Sequence, residues 1–264
     1  MRPIAEAYKD FPILHKEHNG HRVIYLDSGA TAQIPQSVID RVVEHMTQRN
    51  GNPHRGSHIL AIEASEDYEN ARDRVVEFIN AREREEVIFT RNSTESMNLI
   101  AHSYGLHNVK KGDKIVITVA EHHANLVTWQ YVAEQTGATL EYMYLDEHGH
   151  LKDGEINKID EKTKIVAFAH VSNVLGMEFP VKELTEKAHS VGAIVVLDGA
   201  QSTPHKKIDV QALDCDFFVF SGHKMCASQG IGVLYGKRDL LETMPPFLLG
   251  GDMIEYVKEQ TATF

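Results

Sequence analysis

The feature that most constrains the fold of this 264-residue chain is a regular succession of short apolar segments separated by helical patterns. Several of these segments, such as KIVAFAH and AIVVLD, are continuously apolar instead of alternating between apolar and polar residues. Continuous runs are typical of strands that helices cover on both faces. We therefore predict seven strands, at residues 87–90, 115–119, 140–145, 165–170, 194–197, 217–220 and 231–235.

Helical patterns lie between these segments. One helix is predicted at 125–135 with a stop at Gly137, and another between Pro180 and Gly192, because Pro suits a first turn and Gly a helix end. The alternation of predicted strands and helices along the chain predicts an α/β fold with a doubly wound, mostly parallel seven-stranded sheet. Before the first strand, a helix is predicted from one apolar stripe at three- and four-residue spacing, made of Tyr68, Ala71, Val75 and Phe78.

The beginning of the chain follows a different pattern. Residues 1–35 carry turn signals such as Asn19-Gly20, and we interpret them as an N-terminal arm or lead-in segment. The next stretch, SVIDRVVEHMTQRN, predicts an amphipathic helix with Val38, Val42 and Met46 on one side. Residues 36–264 are then expected to form one large domain of α/β/α type.

Composition narrows the classes of partner. A formal net charge of -11 disfavours nucleic acid and anionic membrane surfaces, because both repel an excess of carboxylates. No apolar run approaches the roughly 20 residues that span a bilayer, and the first residues lack the apolar core of a signal peptide, so we expect a cytoplasmic protein. Cys215 and Cys226 are too few for a disulfide framework.

Histidine is abundant, with 16 residues, and the EHH triplet at 121–123 suggests a metal site. Two adjacent histidines do not share a helical face, as histidines four residues apart would. Solvated or singly hydrogen-bonded histidines are therefore the favoured interpretation, and no metal site is predicted.

Polar groups follow five of the predicted strands at their carboxyl ends. Ligands bind in an open α/β sheet outside these ends, so the groups are candidates for one site. Ser93 or Thr94, after the first predicted strand, is expected to cap a helix that begins there. A helix N-terminus with hydroxyl groups suits a phosphate, whereas a lone polar residue is more often part of an ordinary loop. In chain order the groups are Ser93 or Thr94, His122, Asn173, Asp198 and Lys224.

Two of these groups are difficult to explain as ordinary loop residues. Asp198 ends an apolar strand and Lys224 follows another, and a buried unpaired charge is costly. An Asp198–Lys224 ion pair would satisfy both. The alternative is pyridoxal 5′-phosphate, which needs a lysine amine, an acid for its ring nitrogen, a phosphate site and a flat group over its ring. Lys224, Asp198, Ser93 or Thr94, and His122 meet these four demands.

Seven segments also carry a family resemblance that extends from about residue 11 to about residue 254. In order and spacing they resemble the cysteine desulfurases of the sulfur-mobilisation (SUF) type, which belong to the class V branch of fold-type I pyridoxal-phosphate enzymes. The segments are YLDSGATAQIP, NPHRGSH, EHHANLVTWQ, HVSNVLG, VLDGAQSTPH, LDCDFFVFSGHK and GGDMI.

The resemblance implies roles for individual residues. Lys224 would bond to the cofactor and, with His122, act in catalysis, and His122 would stack on the cofactor ring. Asp198 would pair with the ring nitrogen, and Gln201 would contact the phenolic oxygen. The phosphate would be held by Ser93, Thr94, Ser221 and His223. The substrate side would be lined by Ala30, His54, Arg55 and Asn173.

The resemblance also implies an activity and partners. L-cysteine would give L-alanine and an enzyme persulfide, whose sulfur passes to an acceptor or scaffold protein for iron–sulfur cluster assembly, and the enzyme would be a homodimer. Residues 36–264 would be the cofactor-binding large domain, truncated before the small C-terminal domain that carries the nucleophilic cysteine. We therefore expect this chain alone to be inactive and interpret Cys226 as structural, since nothing near it in sequence would lower its pKa.

Two alternatives remain at this stage. Within enzymes, the chain could be a selenocysteine lyase or another class V lyase or transaminase. In a different class, it could be a non-catalytic remnant or a binding partner that keeps the same fold.

Overall fold

A computed structural model describes residues 4–251 and 253–264 of the chain. Each of the seven predicted strands is present within two residues of its expected bounds. The strands of the described residues are β1 (Glu17–His18), β2 (His21–Arg22), β3 (Val87–Thr90), β4 (Lys114–Thr118), β5 (Thr139–Met143), β6 (Thr163–Ala169), β7 (Ile194–Asp198), β8 (Phe217–Ser221), β9 (Gly232–Gly236), β10 (Tyr256–Val257) and β11 (Ala262–Thr263).

Helices occupy the connections between the strands. The longer predicted helices form, with an end at Gly137 in a left-handed conformation, as expected for a glycine C-cap. The α-helices are α1 (Gln36–Gln48), α2 (Ile59–Ile79), α3 (Ser93–Leu99), α4 (Leu106–Asn108), α5 (Val127–Thr136), α6 (Val181–Ser190), α7 (Val210–Leu213) and α8 (Arg238–Leu241). A π-helical segment, Ile100–Gly105, joins α3 to α4, and short 3-10 turns include His123–Asn125 and Gly222–Lys224.

The central sheet has seven strands in the order β3-β9-β8-β7-β6-β4-β5, and two-stranded hairpins (β1-β2 and β10-β11) lie outside it. Strands β5, β4, β6, β7 and β8 are parallel to one another, whereas β9 runs antiparallel to both β3 and β8. The expected mostly parallel α/β sheet is therefore confirmed. Because β9 is antiparallel to both of its neighbours, β3 and β8 point in the same direction. The carboxyl ends of both strands therefore lie at one edge of the sheet.

Side chains from the sheet enter two separate hydrophobic clusters, one on each face. Along β7, Val195 and Leu197 belong to one cluster, whereas Ile194 and Val196 belong to the other. This alternation follows from the two-residue repeat of a strand, and it explains why the sequence of β7 is continuously apolar. Fully burying one such aliphatic side chain contributes about 1.5–3 kcal/mol.

The faces of the first two helices differ from the sequence prediction. Helix α2 directs Ala61, Ala64 and Ile79 inward, whereas Ala71 and Phe78 of the predicted stripe are exposed. The predicted spacing correctly indicated a helix, and Val75 packs against the core while Tyr68 is half-buried, so only part of the stripe faces inward. The 21-residue helix carries apolar residues on more than one side. Helix α1 has no buried residue, and Met46 is 69% exposed.

The arm contacts the large domain close to the end of β8. The N–H of Ala32 donates to the carbonyl of His223 over 2.8 Å, and the Thr31 hydroxyl donates to the same carbonyl over 3.1 Å. The division at residue 35 stays a prediction. Within residues 4–251 and 253–264, no helix combines the length and apolar character that crossing a membrane requires.

Candidate active site

A cavity of about 830 Å³ opens at the carboxyl ends of the parallel strands, where ligands bind in open α/β sheets. It brings together most residues that the sequence nominated, although they are spread over nearly 200 positions. The nominated residues that line it are Ala30, Ser93, Thr94, His122, Asn173, Asp198, Gln201, Ser221, His223 and Lys224.

Lys224 ends the 3-10 turn that follows β8 and is half-buried. Among the described residues, none forms a hydrogen bond or an ion pair with its amine, so the Asp198–Lys224 ion pair considered from the sequence is not present. Burial lowers the pKa of the Lys224 amine, and the negative charge of Asp198 partly opposes that shift. A lowered pKa raises the fraction of unprotonated amine, which is the nucleophilic form.

Asp198 is the last residue of β7 and is only 7% exposed, as its position after an apolar strand predicts. Its Oδ1 accepts a hydrogen bond from the N–H of Ala200 over 2.9 Å. No donor in the described part of the chain contacts Oδ2. Burial raises the pKa of this carboxyl, while the Ala200 N–H and the charges of Lys224 and His122 favour the ionised form. A cationic donor inside the cavity would satisfy Oδ2.

Hydroxyl groups from two strands meet at another wall of the cavity. The Ser221 Oγ lies 2.5 Å from the Ser93 Oγ and accepts the Ser93 N–H over 2.9 Å. Strand β9 lies between the two strands that these serines follow or end. Its Gly232 pairs with Ser221 on one side and with Thr90 on the other. A Cβ at Gly232 would lie 2.5 Å from the Cα of Asn92, so only glycine permits this close approach.

The helix that begins here is capped by a residue other than those the sequence suggested. The Asn92 Oδ1 accepts the N–H of Glu95 over 2.9 Å, so the prediction that Ser93 or Thr94 caps α3 is wrong. Asn92 is extended, with φ -178, and its short amide reaches the third helical N–H, as efficient N-caps do. The hydroxyl groups of Ser93 and Thr94 are consequently left for the cavity.

His122 lies at the exposed rim of the cavity, directly after the turn that follows β4. Its Nδ1 accepts the N–H of Ala124 over 3.1 Å. The neutral ring therefore carries its proton on Nε2. Partial withdrawal from water lowers the pKa of the imidazole, which Asp198 opposes and Lys224 reinforces. His122 thus presents a flat, neutral ring near neutral pH.

The arm supplies contacts that the sequence did not reveal. The Gln201 amide donates to the carbonyl of Gly29 over 2.8 Å, and the His223 Nδ1 lies 3.2 Å from the Thr31 Oγ1. These partners are more than 170 positions apart, so no local pattern could identify them. Cavity residues that sequence reasoning missed are Asp27, Gly29, Arg91, Asn92, Ala124, Ala169, Val171, Ala200, Gln229 and Gly230.

His54 and Arg55 lie in a different cavity, of about 760 Å³, together with Tyr68 and Gly251. The N–H of His54 donates to the Ser65 Oγ over 2.7 Å. The Arg55 guanidinium packs closely against Gly251, because a Cβ added at Gly251 would lie 2.3 Å from the Arg55 Nη2. The described part of the chain therefore does not bring this pair to the cavity that holds Lys224.

Neither cysteine of the chain lines the cavity that holds Lys224. Cys215 is fully buried, and burial raises the pKa of its thiol far above the usual range. Cys226 is half-buried in a left-handed conformation, with φ 62, and burial also raises the pKa of its thiol. Both thiols are thus disfavoured as thiolate nucleophiles.

Comparison with known proteins gives consistent matches. Residues 24–264 match the family described as Aminotransferase class-V. A probable cysteine desulfurase of Synechocystis sp. is 50% identical over 255 residues, which are 96% of this chain and 60% of the relative. A probable cysteine desulfurase of Halalkalibacterium halodurans is 54% identical over 253 residues, which are 96% of this chain and 62% of the relative. The chain thus spans less than two thirds of the length of these relatives.

Two solved structures that resemble this chain are also cysteine desulfurases. The apo structure of a cysteine desulfurase from Thermococcus onnurineus NA1 superposes with a TM-score of 0.93 at 40% identity, over 100% of this chain and 64% of that chain. The cysteine desulfurase CsdA from Escherichia coli superposes with a TM-score of 0.89 at 39% identity, over 100% of this chain and 65% of that chain.

Proposed function

The chain belongs to the class V aminotransferase family, and from this premise and its cavity we propose that it is the pyridoxal-phosphate-binding part of a cysteine desulfurase. One observation carries the proposal: Asp198, which ends β7, and Lys224, which ends the turn after the neighbouring strand β8, face one cavity and form no ion pair with each other. A structural ion pair would have explained both residues without a ligand. A buried carboxyl and a half-buried amine that do not pair with each other favour a third group in the cavity instead.

The groups around the cavity fit pyridoxal phosphate. The free Oδ2 of Asp198 suits a protonated ring nitrogen, and the Lys224 amine suits the aldehyde. The hydroxyl groups of Ser93 and Ser221, 2.5 Å apart at the start of α3, suit phosphate oxygens. The exposed, flat ring of His122 suits stacking. Donors, an acid and an amine are thus all present in one cavity of sufficient size.

When bound, the cofactor supplies an electron sink for the bonds around the substrate Cα. The residues of the chain would bind and orient L-cysteine and move its protons. Lys224, with its lowered amine pKa, would accept the Cα proton. Asp198 would keep the ring nitrogen protonated, and Asn173 at the exposed end of the cavity would bind the substrate carboxylate.

The desulfurase reaction also requires a thiol. L-cysteine and an enzyme thiol give L-alanine and an enzyme persulfide, so the thiol must reach the substrate sulfur. Cys215 and Cys226 lie outside the cavity, and both have raised thiol pKa values. We propose that neither forms the persulfide, and that these 264 residues bind cofactor and substrate without turnover.

Further parts of the proposal concern partners and location. We propose a sulfur-acceptor or scaffold protein of iron–sulfur assembly as the recipient of the sulfur, by likeness to the relatives. A homodimer is supported by exposed apolar side chains such as Ile24 (78%), Leu26 (91%) and Leu249 (74%). Both thiols are free, which supports the reducing cytoplasm. The net charge of -11 supports neither nucleic acid nor membrane as a partner.

Spectroscopy tests the proposal. The purified chain is titrated with pyridoxal phosphate, and L-cysteine is then added while the visible spectrum and the release of alanine are followed. We expect a cofactor band that changes with L-cysteine more than with D-cysteine, and no alanine beyond the level of cofactor alone. A chain that gives no cofactor band would refute the proposal. A persulfide on Cys226, detected by mass spectrometry, would refute the assignment of that cysteine.

A further inference from the structure

Glu121, beside His122, is a buried carboxyl that the proposed reaction does not use. It is 8% exposed, and its neighbours Thr118, Asn125 and Trp129 are fully buried. Its two oxygens are both engaged: Oε1 lies 2.5 Å from the Thr118 Oγ1, and Oε2 accepts the Asn125 Nδ2 over 2.6 Å. No cation of the described chain pairs with it, which is unusual for a buried glutamate.

The orientation of this chain of hydrogen bonds is fixed at one end. The Trp129 Nε1 can only donate, and it lies 2.8 Å from the Asn125 Oδ1. The Asn125 amide must therefore turn its Nδ2 towards Glu121. Asn125 closes the 3-10 turn His123–Asn125, and Trp129 belongs to α5. These hydrogen bonds thus connect the end of β4, through Glu121, to the first turns of α5.

His122 lies within the loop that this network closes. The N–H of Asn125 also donates to the carbonyl of His122 over 2.8 Å, so the network holds the main chain on both sides of the imidazole. We propose that Glu121 is a positioning residue for His122: the chain Thr118–Glu121–Asn125–Trp129 holds the loop so that the His122 ring stands over the cavity. This inference rests on the proposed function, because His122 is the group proposed to cover the cofactor.

The charge state of Glu121 follows from its surroundings. Burial raises the pKa of this carboxyl to about 8; the hydrogen bonds from Thr118, Asn125 and the main chain of Ala169 oppose the shift, and the negative charge of Asp198 adds to it. In the structure the Thr118 hydroxyl donates to Oε1 and the Asn125 amide donates to Oε2, so both carboxyl oxygens accept a hydrogen bond. Glutamine can keep both contacts, because its Oε1 accepts from Asn125 and its Nε2 donates to the Thr118 hydroxyl, which can accept as well as donate. Alanine removes both contacts.

Cofactor affinity gives the first test. We expect Glu121→Ala to weaken binding of pyridoxal phosphate about tenfold, since it removes two buried hydrogen bonds that hold the loop, and Glu121→Gln to retain it within about twofold. In a His122→Ala background, Glu121→Ala should have no further effect, because its action passes through the imidazole. Glu86→Gln serves as a matched control, since Glu86 is 3% exposed and does not line the cavity.

A readout without cofactor separates this inference from the proposed function. Spectra of the ¹⁵N-histidine-labelled chain report which His122 nitrogen carries the proton, and His122→Ala identifies the signal. We expect the Nε2-protonated form in the unaltered chain and in Glu121→Gln, and its loss in Glu121→Ala.

If Glu121→Ala does not fold, Thr118→Val replaces it. An unchanged His122 signal in the alanine or valine variant, or full additivity with His122→Ala, overturns the positioning role. Failure of the unaltered chain to bind cofactor refutes only the proposed function.

Discussion

Replacement of Glu121 by glutamine should change how stability depends on pH. The carboxyl has a normal pKa near 4.5 when exposed and a pKa raised to about 8 in the fold. Between these values the folded chain holds a proton that the unfolded chain releases, so unfolding becomes easier as the pH rises. Stability from this group is therefore complete below about pH 4.5 and is lost as the pH rises towards 8.

The size of the effect follows from the width of that window. Each pH unit within it corresponds to about 1.4 kcal/mol, so the contribution of Glu121 to the free energy of unfolding falls by about 4 kcal/mol between about pH 5 and about pH 8. Glutamine does not titrate and should lose none of this. The difference in unfolding free energy between Glu121→Gln and the unaltered chain should thus shift by about 4 kcal/mol in favour of the variant.

Urea unfolding at several pH values provides the assay. Trp129 is the only tryptophan, is fully buried and belongs to the same hydrogen-bonded chain, so its emission reports unfolding at this position. Glu86→Gln controls for loss of a buried carboxyl elsewhere. Parallel stability curves for Glu121→Gln and the unaltered chain across this pH range would refute the reasoning.

Two further predictions concern the strand β7 and the turn after it. Asp198→Asn should weaken binding of pyridoxal phosphate about 10- to 100-fold, since a charge-assisted hydrogen bond is replaced by a neutral one, and equal affinities in a fluorescence titration would contradict this. Gly199→Ala should destabilise the fold by about 1–3 kcal/mol, because its Cβ would lie 2.0 Å from the Cζ of Phe218. Thermal unfolding measures this effect, and Gly250→Ala, with no atom within 4 Å of its Cβ, should leave stability nearly unchanged.

The sequence predicted the strands of this fold better than their arrangement. Continuous apolar runs identified β3 to β9 because strands covered on both faces need apolar residues at every position. The antiparallel direction of β9 depends on pairing between distant segments, with Val87 opposite Tyr235, and local pattern carries no information on it. For the same reason, the contact between Ser93 and Ser221 could be expected only from the resemblance.

The candidate site was predictable where residues follow strands. Asp198 and Lys224 could be nominated because a charge after an apolar strand lies at the carboxyl edge of the sheet. His54 and Arg55 were nominated from the resemblance alone, and in the described chain they line a separate cavity. Glu121 was considered only as part of the EHH triplet, and its buried hydrogen-bond network was not predicted, because Asn125 and Trp129 come close to it only once α5 packs on the sheet.

The covalent attachment site of the cofactor tests the central claim most directly. The purified chain is incubated with pyridoxal phosphate, reduced with borohydride, digested and analysed by mass spectrometry. We predict one phosphopyridoxyl group per chain, on Lys224, its loss in Lys224→Ala and its retention in Cys226→Ser. Label spread over surface lysines, or equal labelling of the Lys224→Ala chain, would contradict the account.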